Sequence, residues 1–222
     1  MASLDSSHSA YAGQAIYGPT FLKLYDAVAY GFNCPVLWRC RKFRFLEHYN
    51  AHLSARHLDI GVATGSLLDA CSFPSPAPEL TLMDLNLNSL ASASRRLSRY
   101  RPHTHRANVL EPWGLPAESY DSIGMTHLLH CLPGAIPDKA VALEYARDAL
   151  VEGGVLFGAT IFGRGVRLNA LAQRVAVDAN RRGVLGNRDD DPADLDAALA
   201  RTFDSYRLTL VGAVGLFAAW KD

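Results

Sequence analysis

The stretch from His57 to Cys71, HLDIGVATGSLLDAC, restricts the fold of this chain more than any other. An apolar run at Leu58, Ile60 and Val62 carries Asp59 inside it and gives way to Gly61, Ala63 and Gly65, after which the apolar spacing turns helical. The pattern predicts a strand, a tight turn and a helix. Such a turn leaves backbone N–H groups unpaired at a helix N-terminus and keeps side chains clear, so a nucleotide-type ligand can lie directly against the main chain.

A dinucleotide fingerprint places glycines at the first, third and sixth positions of that turn. Here those positions hold Gly61, Ala63 and Ser66, so two of the three depart. Asp59 lies inside the strand, where a carboxylate has little to offer a pyrophosphate but suits a ligand with an ammonium group.

At 222 residues the chain is read as one domain, 1–222, with residues 1–50 a helical lid and 51–222 a Rossmann-like core. Lysine plus arginine equals aspartate plus glutamate, 22 against 22, so no global field draws the protein to nucleic acid or anionic lipid. A small-molecule partner is expected, with the protein a monomer or homodimer. The apolar runs at 151–162 and 211–220 are short or broken by glycine, and MASLDSSHSA lacks a basic, apolar signal region, which points to a cytoplasmic protein without a membrane span. The four cysteines, Cys34, Cys40, Cys71 and Cys131, have no metal or disulfide spacing. His48 with His52 and His103 with His105 are close in sequence but lack a third matched ligand, so no metal site is expected.

Along the chain, residues 1 to about 15 are polar and small. Thr20 can cap a helix with Phe21, Leu24, Tyr25 and Val28 on one face, and a second helix is expected from about Pro35 to Tyr49. Two helices ahead of the first strand suit a lid, which makes Tyr11, Tyr17, Tyr25, Phe32 and Trp38 candidates for a substrate pocket, against the blander reading of plain core. LTLMDLN reads as a buried strand ending in Asp84, nineteen residues past Gly65, where a βαβ unit delivers a carboxylate to two ribose hydroxyls, against the plainer reading of a surface turn residue or helix cap, since Asn86 and Asn88 follow. Residues 88–100 should be a helix with Leu90, Ser94 and Leu97 inward, and HRANVL a third strand. DSIGMT is a fourth strand that carries His127 to Pro133 to its carboxyl end, where ligands of open α/β sheets collect. Helices are expected from Pro137 to Leu150, from Val166 to Arg182 with Leu168, Leu171, Ala172 and Val175 on one side, and after an Asp191–Pro192 cap. Val155 to Phe162 is a fifth strand, and 203–211 with 213–220 a closing hairpin that turns at Gly212.

The motifs DIGVATG, LMDLN, ANVLEP, DSIGMTHLLHCLPG and LVEGGVLFGATIFG fall in the order and at the spacing of class I S-adenosylmethionine (SAM) dependent methyltransferases, which the chain resembles from about Leu46 onward. With YGPTFLKLYD and WRC in front, the whole resembles small methyltransferases of natural-product pathways that act on hydroxyls of polyketide-like compounds. The resemblance implies an α/β, seven-stranded, mostly parallel sheet with an antiparallel C-terminal hairpin and flanking helices. It implies a SAM site at Asp59, Gly61, Ala63, Gly65, Asp84, Leu85, Asn108, Val109 and His127, with Asn108 at the adenine amino group, Val109 and Trp113 flanking the ring, and Ala63 in place of the usual glycine.

On that reading the acceptor is a phenol or enol hydroxyl, and S-adenosylhomocysteine (SAH) is the product. An imidazole can take the acceptor's proton, with His127 and His130 as candidates beside a structural role for either. Tyr17, Tyr25, Trp38 and His130 would face the acceptor, Tyr25 closing over the methyl group, and catalysis would need no metal. Two rivals stand. A nicotinamide oxidoreductase keeps the βαβ start and Asp84 but lacks a Y-x-x-x-K pair, and a SAM-binding subunit or cyclisation catalyst keeps the fold without methylation.

Overall fold

The computed structural model describes residues 18–222, apart from the side chains of residues 19–21 and 23. Tyr11 and Tyr17 lie outside the described residues. The chain opens with α1 (Pro19–Asp26), a π-helical segment (Ala27–Leu37) and α2 (Lys42–His52). It then runs β1 (Arg56–Ile60), α3 (Ser66–Asp69), β2 (Glu79–Asp84), α4 (Leu87–Arg96), β3 (His103–Arg106) and β4 (Tyr120–Thr126). After β4 come α5 (Ile136–Lys139), α6 (Val141–Ala149), β5 (Leu150–Ile161), α7 (Ala170–Arg181), α8 (Pro192–Thr202), β6 (Ser205–Val211) and β7 (Val214–Trp220).

The seven strands form one sheet in the order β3-β2-β1-β4-β5-β7-β6, parallel through β5, with β7 antiparallel to both β5 and β6. This is the expected seven-stranded sheet with its closing hairpin. Because β1 is flanked by β2 on one side and β4 on the other, the chain leaves β1 and β4 in opposite directions and opens a crevice at their carboxyl ends. Alternation along β5 feeds two cores. Val155, Phe157, Ala159 and Ile161 join the layer under α2, and Leu150 and Leu156 join the layer of α6 and α8. Leu58 and Ile60 of β1 also face the second layer. Asp59 therefore faces the lid.

Side-chain caps start three helices where sequence and geometry agree. Asn86 accepts from the backbone N–H groups of Asn88 and Ser89, Asn169 from Ala172, and Asp191 from Ala193 with Pro192 in the first turn. Leu195, Ala198 and Leu199 are buried as expected.

The lid departs from expectation. The cap of α1 is Gly18, not Thr20, and α2 starts at Lys42, seven residues after Pro35. Between them Pro35 has no N–H to give, and its ring would press on the carbonyl of Gly31 in an α-helix; the wider π winding takes it in. That winding keeps residues four or five apart on one face. Tyr25, Ala29, Asn33, Cys34 and Trp38 line a cavity, whereas Leu24 and Val28, expected inward, are 61% and 44% exposed. Phe32, at 49% exposure, also points away from it. Smaller corrections follow elsewhere. The third strand ends at Arg106, so Asn108 sits in the loop beyond it, and Leu171 of α7 is exposed.

The loop at 184–190 is pinned from beneath. Lys139 Nζ donates to both carboxylate oxygens of Asp190 at 2.8 and 2.7 Å and to the Gly186 carbonyl at 3.0 Å, with both side chains fully enclosed. Removing one partner strands the other charge in a dry site. Asp190→Ala is expected to lower the unfolding free energy by about 3–5 kcal/mol in a urea titration, and the paired change Lys139→Met with Asp190→Leu to recover most of that loss.

Candidate active site

The turn after β1 winds through left-handed backbone at Gly61 (φ 74°), Ala63 (φ 44°) and Gly65 (φ 71°). Glycine tolerates this freely, whereas alanine holds Ala63 there at a cost of about 1–2 kcal/mol. Gly61 N–H donates to the Met83 carbonyl at 2.9 Å, tying the turn to β2. The turn, the ends of β2 and β4 and the 107–109 loop enclose a cavity of about 90 Å³, lined among others by Gly61, Ala63, Asp84, Leu85, Asn108 and Val109. Trp113 is not part of that lining. Its indole N–H donates to the Val109 carbonyl and its ring packs against Tyr145.

Asp84 accepts the Asn86 backbone N–H at 2.8 Å. Burial pushes its carboxyl up to about 6, helped by the nearby Asp59 and opposed by the N–H groups of Asn86, Ala63 and Val62. Asn108 is buried, and its NH₂ donates to Glu111 at 2.8 Å while its oxygen accepts from the Leu110 N–H at 3.1 Å. That oxygen retains a second lone pair for a ligand donor.

A smaller recess beside the turn is lined by Tyr49, Asp59, Gly65, Ser66 and Thr126. Asp59 is 5% exposed and accepts from the Tyr49 hydroxyl at 3.0 Å. Gly124 on the neighbouring strand makes room for it, since a Cβ there would lie 2.6 Å from Asp59 Oδ1. The Thr126 hydroxyl is buried with no hydrogen-bond partner among the described residues. An orphaned hydroxyl beside a carboxylate suits the amino-acid end of a ligand, which brings an ammonium and a carboxylate together.

On the other side of Tyr25, His127 and Cys131, which line both spaces, lies a cavity of about 140 Å³. The lid stripe forms one wall, and His130, Ile161, Val175, Ala179, Val184 and Leu185 form the rest. Both histidines are neutral near pH 7. Packing round the His127 ring, including Phe45 at 4.6 Å between centroids, pushes its pKa down to about 4, and burial holds His130 well below the usual histidine value. His127 itself sits in left-handed backbone (φ 61°), anchored by its N–H on the Ala159 carbonyl at 2.8 Å.

The Ile161 N–H donates to His130 Nδ1 at 3.3 Å. That bond favours the tautomer with the proton on Nε2, in which His130 presents a donor. Of the residues expected at the site, those within the described chain lie on these connected spaces, except Phe32 and Trp113. Thr126, Tyr49 and Asn33 join them without a sequence signal, because a hydroxyl or amide in a strand or helix has no motif of its own.

Strand order, glycine turn and paired acidic side chains define a Rossmann-like fold of the class that takes nucleotides at the switch between β1 and β4. Residues 58–156 match a family model described as a methyltransferase domain. The chain is 44% identical over 208 residues to demethylluteothin O-methyltransferase of Streptomyces thioluteus, covering 94% of this chain and 90% of that one. It is 34% identical over 211 residues to the physcion biosynthesis cluster O-methyltransferase of Aspergillus chevalieri, covering 94% and 95%. Among solved structures, a SAM-dependent methyltransferase of Thermotoga maritima superposes with a TM-score of 0.70 at 14% identity, covering 97% of this chain and all of that one. The chain belongs to the class I SAM-dependent methyltransferases.

Two predictions rest on the turn and on Asp84. Ala63→Gly is expected to raise stability by about 1 kcal/mol by releasing left-handed strain, read as a higher Tm. An ionised Asp84 is the better acceptor for ribose hydroxyls, so SAH affinity should be constant above pH 6 and fall by up to about tenfold per unit below it. Calorimetry across that range checks this, and Asp84→Asn should bind weakly with no such slope.

Proposed function

We propose that this methyltransferase O-methylates an enol or phenol on a neutral, ring-containing natural product, without a metal ion. The observation that carries this reading is the second cavity, which meets the cofactor space at Tyr25, His127 and Cys131 and is lined by no charged side chain. The relatives named as O-methyltransferases support the acceptor atom. Among the described residues no group of three or more His, Cys, Asp or Glu is placed to hold a metal.

Asp84 would hold the ribose, Asn108 the adenine amino group between Leu85 and Val109, and Asp59 with Thr126 and the 61–65 turn the amino-acid end. When bound, SAM supplies a methyl carbon activated by a positively charged sulfur. The residues of this chain do the rest by position. A cavity of about 140 Å³ is on the scale of sites that hold one benzene-sized ring, so a larger scaffold extends past Leu185, which also borders the broad groove beside α7. His130, with its proton on Nε2, donates to an acceptor oxygen and orients the ring. His127 touches both spaces and takes the hydroxyl proton as the new bond forms. Its low basicity suits an acidic enol or phenol better than an alcohol. Water is kept away by Tyr25 and Trp38, and orientation of this kind is worth several kcal/mol.

Incubation with SAM and a panel of ring hydroxy compounds, read by mass spectrometry, should yield SAH and an O-methyl product. Methylation at carbon or nitrogen alone, or none across the panel, would defeat the reading. At saturating SAM the imidazole of His127 is available above about pH 4, so kcat should show no histidine inflection near pH 6.5. His127→Asn should lower kcat by about 100-fold, whereas His130→Asn should act mainly on the acceptor's KM.

A further inference from the structure

Asp26 is the last residue of α1, at the point where the lid changes from α to π winding. Its carboxylate leaves the lid and grips the cofactor side. The Thr64 hydroxyl donates to Asp26 Oδ1 at 2.6 Å, and Arg96, the last residue of α4, donates from Nη1 to Asp26 Oδ2 at 2.8 Å and to the Thr64 hydroxyl at 3.2 Å. Three elements that enclose the cofactor space therefore meet at one carboxylate: the lid through Asp26, the glycine turn through Thr64 and the helix after β2 through Arg96. The next residue back, Tyr25, lines the cofactor cavity, its recess and the acceptor cavity alike.

From these contacts we infer that Asp26 is a positioning residue that couples the cofactor site to the acceptor wall. The route is short. A ligand lying on the 61–65 turn fixes Thr64, the Thr64 hydroxyl fixes Asp26, and Asp26 sets the register of the π winding that presents Ala29, Asn33 and Cys34, with Tyr25 just before it and Trp38 just after. Burial acts to raise the Asp26 pKa, but the bonds from Thr64, Arg96 and Ser66 outweigh it and leave the carboxyl below its ordinary value, so the clamp is charged throughout the neutral range. A merely structural tie would add stability without linking the two sites. A coupling element also makes the lid respond to what sits on the turn.

The inference rests on the cofactor site assigned above, and SAH is the probe. Calorimetry on the full chain first measures SAH binding, and hydrogen exchange then follows the backbone of residues 19–38 with and without saturating SAH. In the wild type SAH should slow exchange across the lid by about tenfold. Thr64→Val keeps the ion pair and the Ser66 bond but removes the Thr64 link, and should reduce the slowing in the lid, while Thr64→Ser restores it. Asp26→Ala should abolish the response, and the charge swap Asp26→Arg with Arg96→Asp should recover part of it.

If Thr64→Val and Asp26→Ala bind SAH and still slow the lid as the wild type does, the lid responds through direct contact at Tyr25 and the clamp is overturned. No heat from SAH with the wild-type protein would overturn the cofactor site and the clamp together. Should Asp26→Ala not fold, the two threonine variants decide alone.

Discussion

A carboxylate in the middle of a buried parallel strand is tolerable only when its lone pairs are met, and Asp59 sets that condition for the whole crevice. Its partner comes from outside the sheet: the Tyr49 hydroxyl on α2. Room comes from within, since the neighbouring strand has a glycine where a side chain would collide with the carboxylate. One buried charge thus fastens the second lid helix to β1. Phe45, a turn earlier on the same helix, packs on the His127 ring, so the tether at Asp59 also fixes the group that stands between the two cavities.

The electrostatic character of the two spaces differs, and the difference follows from burial. The cofactor side gathers carboxylates, Asp59 and Asp84, among backbone N–H groups, a setting for a ligand with a positive end and hydroxyl donors. The acceptor side has imidazoles stripped of charge by desolvation, two thiols and an amide. A neutral ring fits such a wall without stranding an ion, and a charged acceptor would meet no counterion there. Buried Lys139 and Asp190 keep their charges away from that cavity by bonding to each other, while fastening the loop that brings Val184 and Leu185 to it.

Much of the sheet was legible in the sequence because strands buried on both faces read as short apolar runs between turn residues, and because Gly61, Gly65 and Asp84 stand at spacings that suit a βαβ unit. The closing hairpin and the Asp191 cap were legible for the same local reasons. The lid was not. Residues four apart share a face in either winding, so the spacing does not say which of two such rows is inward: Leu24 and Val28 fall in the exposed row, Tyr25, Ala29 and Asn33 in the one that lines the cavity, and Pro35 sits inside the π winding instead of starting a helix. The tautomer of His130 depends on the Ile161 N–H thirty-one residues away, and Asp26 meets Arg96 across seventy. Pairings of that kind are set by the folded backbone and leave no spacing to read.

The π-helical wall carries a consequence for how proteins of this shape diverge. Each of its hydrogen-bonded loops holds one residue more than an α-turn, so losing a single codon there would rewind the segment and swing a different set of side chains toward the acceptor. Substrate choice would then change by a one-residue deletion in the lid, with the strands, the turn and every group proposed to meet the adenosine left untouched.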